Sequence, residues 1–472
     1  MSPETIENRT TFPTSKASVA KATPARRTLF RVFWRWHFYA GLIVSPFILV
    51  VALTGAIYLF GAEISDIANQ DFLFVESVGT VAAYPALIES AEASIPAGKA
   101  TRISTFADPR RTVIVSVKSP QKEPEKETTG RRRRSDRGST VYVDPYSATV
   151  LQAPQGPKKL DSFFRLVLKI HRQLFVGTPG RIIVELATCW TLVLFVTGFY
   201  LWWPRSKAKS AGVWTVRWTA KRYTLLRDLH AIVAAYLTPV CLVILITGLF
   251  YTLVWGESFH FVTQQFFTSA VETNSRKKAN AKEDYVPPLF AVQDAVDKSR
   301  LLYPDRDITV TLPSQATDHY EVSAINDYAR GTYGAMNSTG FQLHRETGEV
   351  LEVSDLSQNE RFWWHTWAYP LHVGSVVGWT SKVIWLLACI ALMGLPITGL
   401  WMWWIRRPQG KTGFPRKPNP QPTPLWLAAA ILTLCLILPA FGLSVLLIVL
   451  LEWTMARFRR LPGRVAKTGS RA

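Results

Sequence analysis

Cysteine is rare in this sequence of 472 residues, and its few occurrences are confined to apolar segments. The four cysteines are Cys189, Cys241, Cys389 and Cys435. A disulfide framework requires cysteines in the polar parts of a chain, so we exclude one here. We expect the polar regions to fold without covalent cross-links.

Short cofactor motifs are absent as well. The sequence has no Gly-rich nucleotide loop, no CxxC, no CxxCH and no metallopeptidase helix motif. These absences exclude a flavin or nicotinamide domain and covalently attached haem. If the protein handles electrons, they must come from a separate donor.

Acidic residues are few, with 34 Asp and Glu against 54 Lys and Arg, and the net charge is +20. Such an excess can indicate a nucleic-acid partner, but the basic residues cluster beside apolar runs, at 26–35, 205–227 and 406–417. Short basic segments next to membrane spans are retained on the cytoplasmic side. We therefore expect contact with membrane lipid and no nucleic acid.

Long apolar runs lie near 38–60, 182–203, 231–255 and 383–404, and each is long enough to span a bilayer. The first run starts too late for a cleavable signal, so it is interpreted as a retained anchor with the N-terminus inside. A fifth apolar segment at 425–451 is either a re-entrant hairpin or one kinked span. We favour the hairpin, because a single crossing would carry the basic tail outside.

The two large polar regions have the same order of elements. Each contains a helical stretch, at 85–95 and 288–302, followed by strand-like runs. The run 341–351 matches the run 141–151 at an offset of 200. The sequence therefore predicts an internal duplication of span, α+β domain and span.

Four histidines repeat with this unit. His37 and His230 each precede a Thr-Gly pair by 17 positions, and His171 and His372 each precede one by 26. Seventeen helical residues span about 26 Å, nearly the full hydrocarbon thickness. The Thr-Gly pairs are interpreted as close-contact points between helices, without a catalytic role.

The two repeats are parallel, because each starts and ends in the cytoplasm, and parallel repeats are related by an axis along the membrane normal. Equivalent residues then lie at equal depth. His37 faces His230 near the cytoplasmic side, and His171 faces His372 near the periplasmic side. Two imidazoles at one depth suit the axial ligation of a haem iron, so we predict two non-covalent haem b groups.

Other residues near the histidines have more than one interpretation. Arg35, Arg172 and Lys169 could pair with haem propionates, or snorkel to the interface. His365 has Phe164 at the equivalent place in the first half, and could be a further ligand, a substrate-side residue or an interfacial side chain.

The sequence also resembles a known family. The motifs Trp-His-Phe-Tyr-Ala-Gly at 36–41, Val-Thr-Gly-Phe-Tyr-Leu-Trp-Trp-Pro-Arg at 196–205, Pro-Leu-His-Val-Gly at 370–374 and Ile-Thr-Gly-Leu-Trp-Met-Trp-Trp at 397–404 are similar to those of the PepSY-associated transmembrane helix family. The two polar regions resemble PepSY domains. This resemblance implies a bacterial inner-membrane protein that uses haem to reduce a ferric siderophore, or another ferric chelate, in the periplasm. By the same resemblance, His37, His171, His230 and His372 match the membrane histidines of the family.

Two functions compete with this ferric-siderophore reductase, in which a cytoplasmic reductant or quinol donates electrons. One is a non-enzymatic PepSY-domain protein that regulates a periplasmic peptidase, and the other is a siderophore permease. A haem b spectrum of the purified protein would favour the reductase, and a colourless protein would favour the alternatives.

The predicted fold is a mainly α membrane protein with a duplicated unit of transmembrane helix, periplasmic α+β PepSY-like domain and transmembrane helix, plus a C-terminal apolar hairpin or kinked span. The predicted segments are a disordered cytoplasmic tail at 1–27, transmembrane helix 1 at 28–61, the first PepSY-like domain at 62–170, transmembrane helix 2 at 171–204, a cytoplasmic loop at 205–229, transmembrane helix 3 at 230–255, the second PepSY-like domain at 256–370, transmembrane helix 4 at 371–405, a cytoplasmic loop at 406–423, the C-terminal membrane segment at 424–453 and a basic tail at 454–472.

This topology predicts the accessibility of single cysteines introduced at positions 130, 215 and 330. A membrane-impermeant thiol reagent added to intact cells should label positions 130 and 330 and leave position 215 unlabelled. Protection of position 130 would contradict the membrane assignment and the depth pairing that depends on it.

Overall fold

The computed structural model describes residues 24–119, 139–152, 159–204, 211–266, 289–314, 319–325, 339–355, 363–415 and 424–460. Most of the charged segment at 118–138 and both chain ends lie outside these residues. Within them, the elements in chain order are α1 (Pro24–Leu59), α2 (Gly61–Ala68), α3 (Gln70–Leu73), α4 (Tyr84–Ala93), β1 (Lys99–Thr105), β2 (Val113–Lys118), β3 (Ser139–Val143), β4 (Val150–Gln152), α5 (Lys159–Gln173), α6 (Thr178–Trp202), α7 (Arg222–Leu249), α8 (Val254–Phe266), α9 (Val292–Leu302), β5 (Asp307–Thr311), β6 (His319–Ile325), β7 (Thr339–His344), β8 (Val350–Asp355), α10 (Trp363–Val373), α11 (Gly378–Arg406), α12 (Leu425–Ile437) and α13 (Pro439–Arg460).

Five of the described helices are long and apolar enough to cross a membrane, and the four predicted spans are among them. α1, α6, α7 and α11 form a four-helix bundle in which α1 packs on α6 and α11, and α7 packs on the same two helices. α1 and α7 therefore lie diagonally opposite each other. Val44, Ile48, Phe195, Leu245 and Leu392 are among the buried side chains that fill the bundle between its two ends.

The eight described strands form one antiparallel sheet in the order β4-β3-β2-β1-β5-β6-β7-β8. Each half of the chain contributes a four-stranded meander, and β1 pairs with β5 to join them. We expected two separate small domains, but this pairing merges their sheets. The sequence could not show it, because the contact is made between two edge strands about 200 residues apart.

One face of the sheet is apolar, because buried residues alternate along the strands, as Val113, Val115 and Val117 do in β2. α4 and α9 pack on this face, with Leu87 and Ala295 fully buried against it. The opposite face is polar at its centre. There the Ser104 and Thr309 hydroxyls are hydrogen-bonded across the β1–β5 junction at 2.9 Å.

The sheet is attached to one end of the bundle, which we name the sheet side. α1 continues into α2 and α3, and the Leu73 carbonyl at the end of α3 accepts a hydrogen bond from the Thr112 amide at 3.1 Å. Arg111 of the β1–β2 turn forms an ion pair with Asp66 of α2 at 2.6 Å. The guanidinium of Arg111 also packs on the rings of Phe74 and Phe106, so the sheet is held against the end of the first half.

Two predicted spans begin later than expected. His171 lies in α5 and His372 in α10, while the spans themselves begin at Thr178 and Gly378. Between α5 and α6, Leu174 and Phe175 have positive φ values of 47° and 64°, which end one helix before the next begins. Both histidines are therefore presented by short helices that pack against the bundle.

The C-terminal segment forms a hairpin. The Trp255 indole N–H donates to the Ile437 carbonyl at 2.9 Å, and the Trp255 amide donates to Glu185 near the sheet-side end of α6. The end of α12 therefore lies at this level. Further along α6, Trp190 donates to the Ser444 hydroxyl at 3.2 Å, so α13 runs parallel to α6, back toward the opposite side. A single kinked span does not fit these contacts.

The shared sheet predicts a disulfide between the two halves. Ser104→Cys combined with Thr309→Cys should form a cross-link on oxidation, because the two hydroxyls are only 2.9 Å apart. Proteolysis between the halves, followed by reducing and non-reducing electrophoresis, detects it.

The matched control combines Ser104→Cys with Ser323→Cys. Ser323 is the neighbour of Thr309 on the next strand, so it lies about 10 Å from Ser104, two strand spacings away, and should not cross-link. Equal cross-linking of the two pairs would contradict the β1–β5 register.

Candidate functional site

The four membrane histidines form two pairs. The rings of His37 and His230 have centroids 6.3 Å apart and are inclined at 86°. Those of His171 and His372 are also 6.3 Å apart and are inclined at 58°. These are the partners that equal depth predicts. The first pair, which we name the inner pair, joins the diagonal helices α1 and α7, and the second, the outer pair, lies at the sheet side.

Each ring lies against a Thr-Gly pair of a neighbouring helix in its own half. His37 of α1 packs on Thr197-Gly198 of α6, and His171 of α5 packs on Thr54-Gly55 of α1. The second half repeats this arrangement, with His230 on Thr398-Gly399 and His372 on Thr247-Gly248.

The threonine hydroxyls determine the orientation of the rings. The Thr197 hydroxyl donates to the Val193 carbonyl at 2.8 Å, so its oxygen accepts from His37 Nδ1 at 3.0 Å. Thr54 likewise donates to Val50 and accepts from His171 Nδ1 at 3.2 Å. Since the single hydroxyl proton is already used, the histidine Nδ1 carries the hydrogen of this bond.

Backbone carbonyls strengthen this assignment at three of the histidines. The Nδ1 atoms of His171, His230 and His372 each lie within 3.1 Å of a carbonyl oxygen on the neighbouring helix. A carbonyl can only accept, so Nδ1 is protonated and the lone pair is on Nε2. Histidines that bind metals commonly donate their other ring N–H to a backbone carbonyl in this way, which fixes the tautomer and the ring orientation.

The glycines provide the space for the rings. A Cβ atom at Gly198 would lie 3.1 Å from Cε1 of His37, and one at Gly248 would lie 3.0 Å from Cε1 of His372. Any larger residue would push the ring away. The Thr-Gly pairs were expected to be helix contacts only, and this expectation was incomplete, because they position the histidines.

The geometry of both pairs fits a shared metal ion. Two imidazoles bound to one metal through bonds of about 2 Å have ring centroids about 6 Å apart, as both pairs do. Arg35, two residues before His37, has a buried Nε without a hydrogen-bond partner among the described residues. A haem propionate would be a suitable acceptor for such a guanidinium N–H, and the spacing of the histidine rings fits haem.

Other residues near the outer pair were not found from the sequence. The Tyr251 ring lies 5.9 Å from that of His372 and 6.2 Å from that of Tyr369. Tyr251 follows Thr247 by four positions, as Tyr58 follows Thr54. This repeated spacing of Thr and Tyr could have identified Tyr251 from the sequence. The side chain of His365 lies outside the described residues.

Comparison with known proteins identifies the family. The sequence profile described as the PepSY-associated TM region matches residues 34–406, most of the chain. The chain belongs to this family. Its matched region begins just before His37 and ends just after Thr398-Gly399, so it includes all four histidines and all four Thr-Gly pairs. No curated protein matches the chain. Haem ligation by the PepSY-family histidines stays a prediction.

The contact between a histidine ring and its glycine can be tested by adding a single methyl group to the glycine. Gly198→Ala should displace His37 and reduce the bound haem to about half, because only the inner pair loses its ligand geometry. The haem content of the purified protein measures this.

Gly394→Ala is the matched control. Gly394 lies in α11, one turn before Thr398, and a Cβ atom there meets nothing within 4 Å. This variant should keep the full haem content. Equal haem loss in both variants would indicate a general effect of alanine in these helices rather than a specific contact with His37.

Proposed function

We propose that this protein is an inner-membrane haem b oxidoreductase that carries electrons across the membrane to reduce a periplasmic ferric siderophore and release its iron. The observation that carries the proposal is the presence of two histidine pairs with the same 6.3 Å separation, one at each end of the bundle. The nearly full membrane thickness between them is the distance that a transmembrane electron carrier must cover.

The proposal gives each side chain a role. His37 and His230 would hold one haem, and His171 and His372 the other. Bound at these pairs, haem supplies reversible one-electron chemistry whose potential depends on its ligands and surroundings. The threonines and carbonyls keep Nδ1 protonated, which leaves Nε2 for the iron and fixes the ring planes before the cofactor binds.

The bundle core favours electron transfer over transport of the chelate. Between the two pairs, buried apolar side chains from all four helices pack into one cluster. A siderophore permease would need a polar path at this level. An apolar core instead excludes water from the region between the pairs.

The orientation follows from the charge distribution. Arg217, Lys221, Arg222 and Arg227 lie at the end of the bundle opposite the sheet, as do Arg406 and Arg407. By the positive-inside bias this end is cytoplasmic, which makes the sheet periplasmic. The inner pair would then receive electrons from a cytoplasmic reductant or quinol, and the outer pair would serve the substrate.

The same element order in both halves supports an internal duplication. Each half has a span, a helix with a four-stranded meander, a short histidine-bearing helix and a second span. We infer that the two haem sites arose together, because each site requires one histidine from each half.

Reduction suits the release of iron from such a substrate. Siderophores bind iron through hard oxygen donors, which favour Fe(III) over the softer Fe(II). The single electron that converts the ion therefore weakens its binding. The protein need not transport the chelate in order to release the metal.

Single histidine substitutions test the pairing and the function together. His37→Ala and His230→Ala should each remove the same haem, and His171→Ala and His372→Ala should each remove the other, because both ligands are needed at a six-coordinate iron. Pyridine haemochrome counting gives the stoichiometry. Ferric-siderophore reduction should be lost in all four variants.

A double substitution within one pair should remove little more haem than either single substitution, since the two residues act as a unit. His260→Ala, in α8 and outside both pairs, is the control and should retain two haems. If all four variants keep two haems, or if His37 and His171 prove to share one, the proposal is wrong.

A further inference from the structure

An ion pair is buried near the outer pair, and the proposed function does not use it. Lys382 lies within the span α11, and its side chain is only 1% exposed. Its ammonium group contacts Oε1 of Glu63 in α2, whose side chain is 15% exposed. Burying two charges costs free energy even when they are paired, so ionisable groups at this depth usually serve a function.

Lys382 lies at the depth of the outer pair. It precedes Thr398, which contacts the inner-pair residue His230, by 16 positions, or about 24 Å of helix. In α1, His37 belongs to the inner pair and Thr54 contacts His171 of the outer pair. About the same length of helix separates these two residues. One turn further along α11, the Trp385 indole donates to the Leu371 carbonyl, directly before His372.

Glu63 has an unused acceptor. Its Oε2 atom is buried and has no hydrogen-bond partner among the described residues. Leaving a buried acceptor without a hydrogen bond costs free energy, so this oxygen is a candidate for a further partner.

The neighbours of Glu63 among the described residues come from α11, from α5 and from the start of α2. α11 presents Lys382, and the Phe60 ring lies 5.9 Å from its ammonium. α5 presents the ring of Phe164, which packs beside Gly61. On the same face of α2, Asp66 is already bound by Arg111 from the sheet.

The duplication does not reproduce this pair. The position equivalent to Glu63 is Gly256, and the position equivalent to Lys382 is Arg181. A contact needed only to fold the repeated unit would be expected in both halves. The ion pair joins the two halves on one side of the outer pair, and Gly256 has no side chain that could form its equivalent on the other side.

We propose that Glu63 and Lys382 form a proton-binding site coupled to the redox state of the outer pair, an inference that rests on the proposed function. When the site held by His171 and His372 gains one electron, Glu63 Oε2 binds one proton from water at the sheet side. When that electron passes to the substrate and reduces Fe(III) to Fe(II), the proton returns to water. The physical reason is that added negative charge favours protonation of a nearby buried carboxylate where the dielectric is low.

A redox titration at several pH values across the neutral range tests this proposal. The component of the haem absorption spectrum that is lost in His171→Ala identifies the outer site. In the wild-type protein the midpoint potential of this component should fall as the pH rises. In Glu63→Gln this pH dependence should be lost, while the inner component is unchanged.

Asp66→Asn is the matched control, because Asp66 is also ion-paired and lies one turn from Glu63 on the same helix. It should retain the pH dependence. Lys382→Met alone would leave a buried unpaired carboxylate and could prevent folding. Glu63→Gln combined with Lys382→Met removes both charges and should show the same loss as Glu63→Gln.

An unchanged pH dependence in Glu63→Gln, or a wild-type outer potential that does not depend on pH, would overturn the proton site. Either result leaves the haem assignment intact. A purified protein without haem would instead contradict the proposed function.

Discussion

The hydrogen bond between each histidine Nδ1 and the neighbouring helix determines the rest of the site. It fixes the tautomer, because the carbonyl and threonine oxygens can only accept there. It also holds Nδ1 on the supporting helix, so Nε2 is the ring nitrogen that is left to bind a ligand. Four such bonds, two at each end, place the imidazoles in facing pairs. At Gly55, Gly198 and Gly248 a side chain would crowd the histidine ring, so Thr and Gly act together at these three positions.

Each histidine pair is built from both halves of the chain. Within a half, one helix carries a histidine and the other carries the Thr-Gly pair that holds it. Across the halves, the histidines meet. Neither half therefore contains a complete pair, and the relative position of the halves becomes critical. The β1–β5 pairing and the Lys382–Glu63 contact join the halves at the sheet side, where the outer pair lies.

Much of this arrangement can be predicted from the sequence. The four spans follow from apolar runs, and the family follows from the Trp-, Thr-Gly- and His-containing motifs. The partner of each histidine follows from the equal spacings of 17 and 26 positions. These features are local or periodic, so a single sequence contains them in full.

Other features depend on contacts between distant residues. The same spacings did not reveal that Thr54 holds His171 rather than His37, because this requires the packing order of the helices. Lys382 and Glu63 are 319 positions apart, and only Lys382 has a charged counterpart, Arg181, in the other half, so the repeat does not indicate an ion pair. The break after α5 uses left-handed conformations at Leu174 and Phe175, residue types that do not signal them.

The central claim is that each histidine pair shares one iron. Electron paramagnetic resonance of the oxidised, haem-loaded protein tests it most directly, because the spin state of ferric haem reports its axial ligands. With two imidazoles on each iron, the account predicts only low-spin ferric signals, in two components with different ring inclinations. A high-spin ferric signal from either site in the intact protein would mean that its iron lacks a second histidine, and would contradict the account.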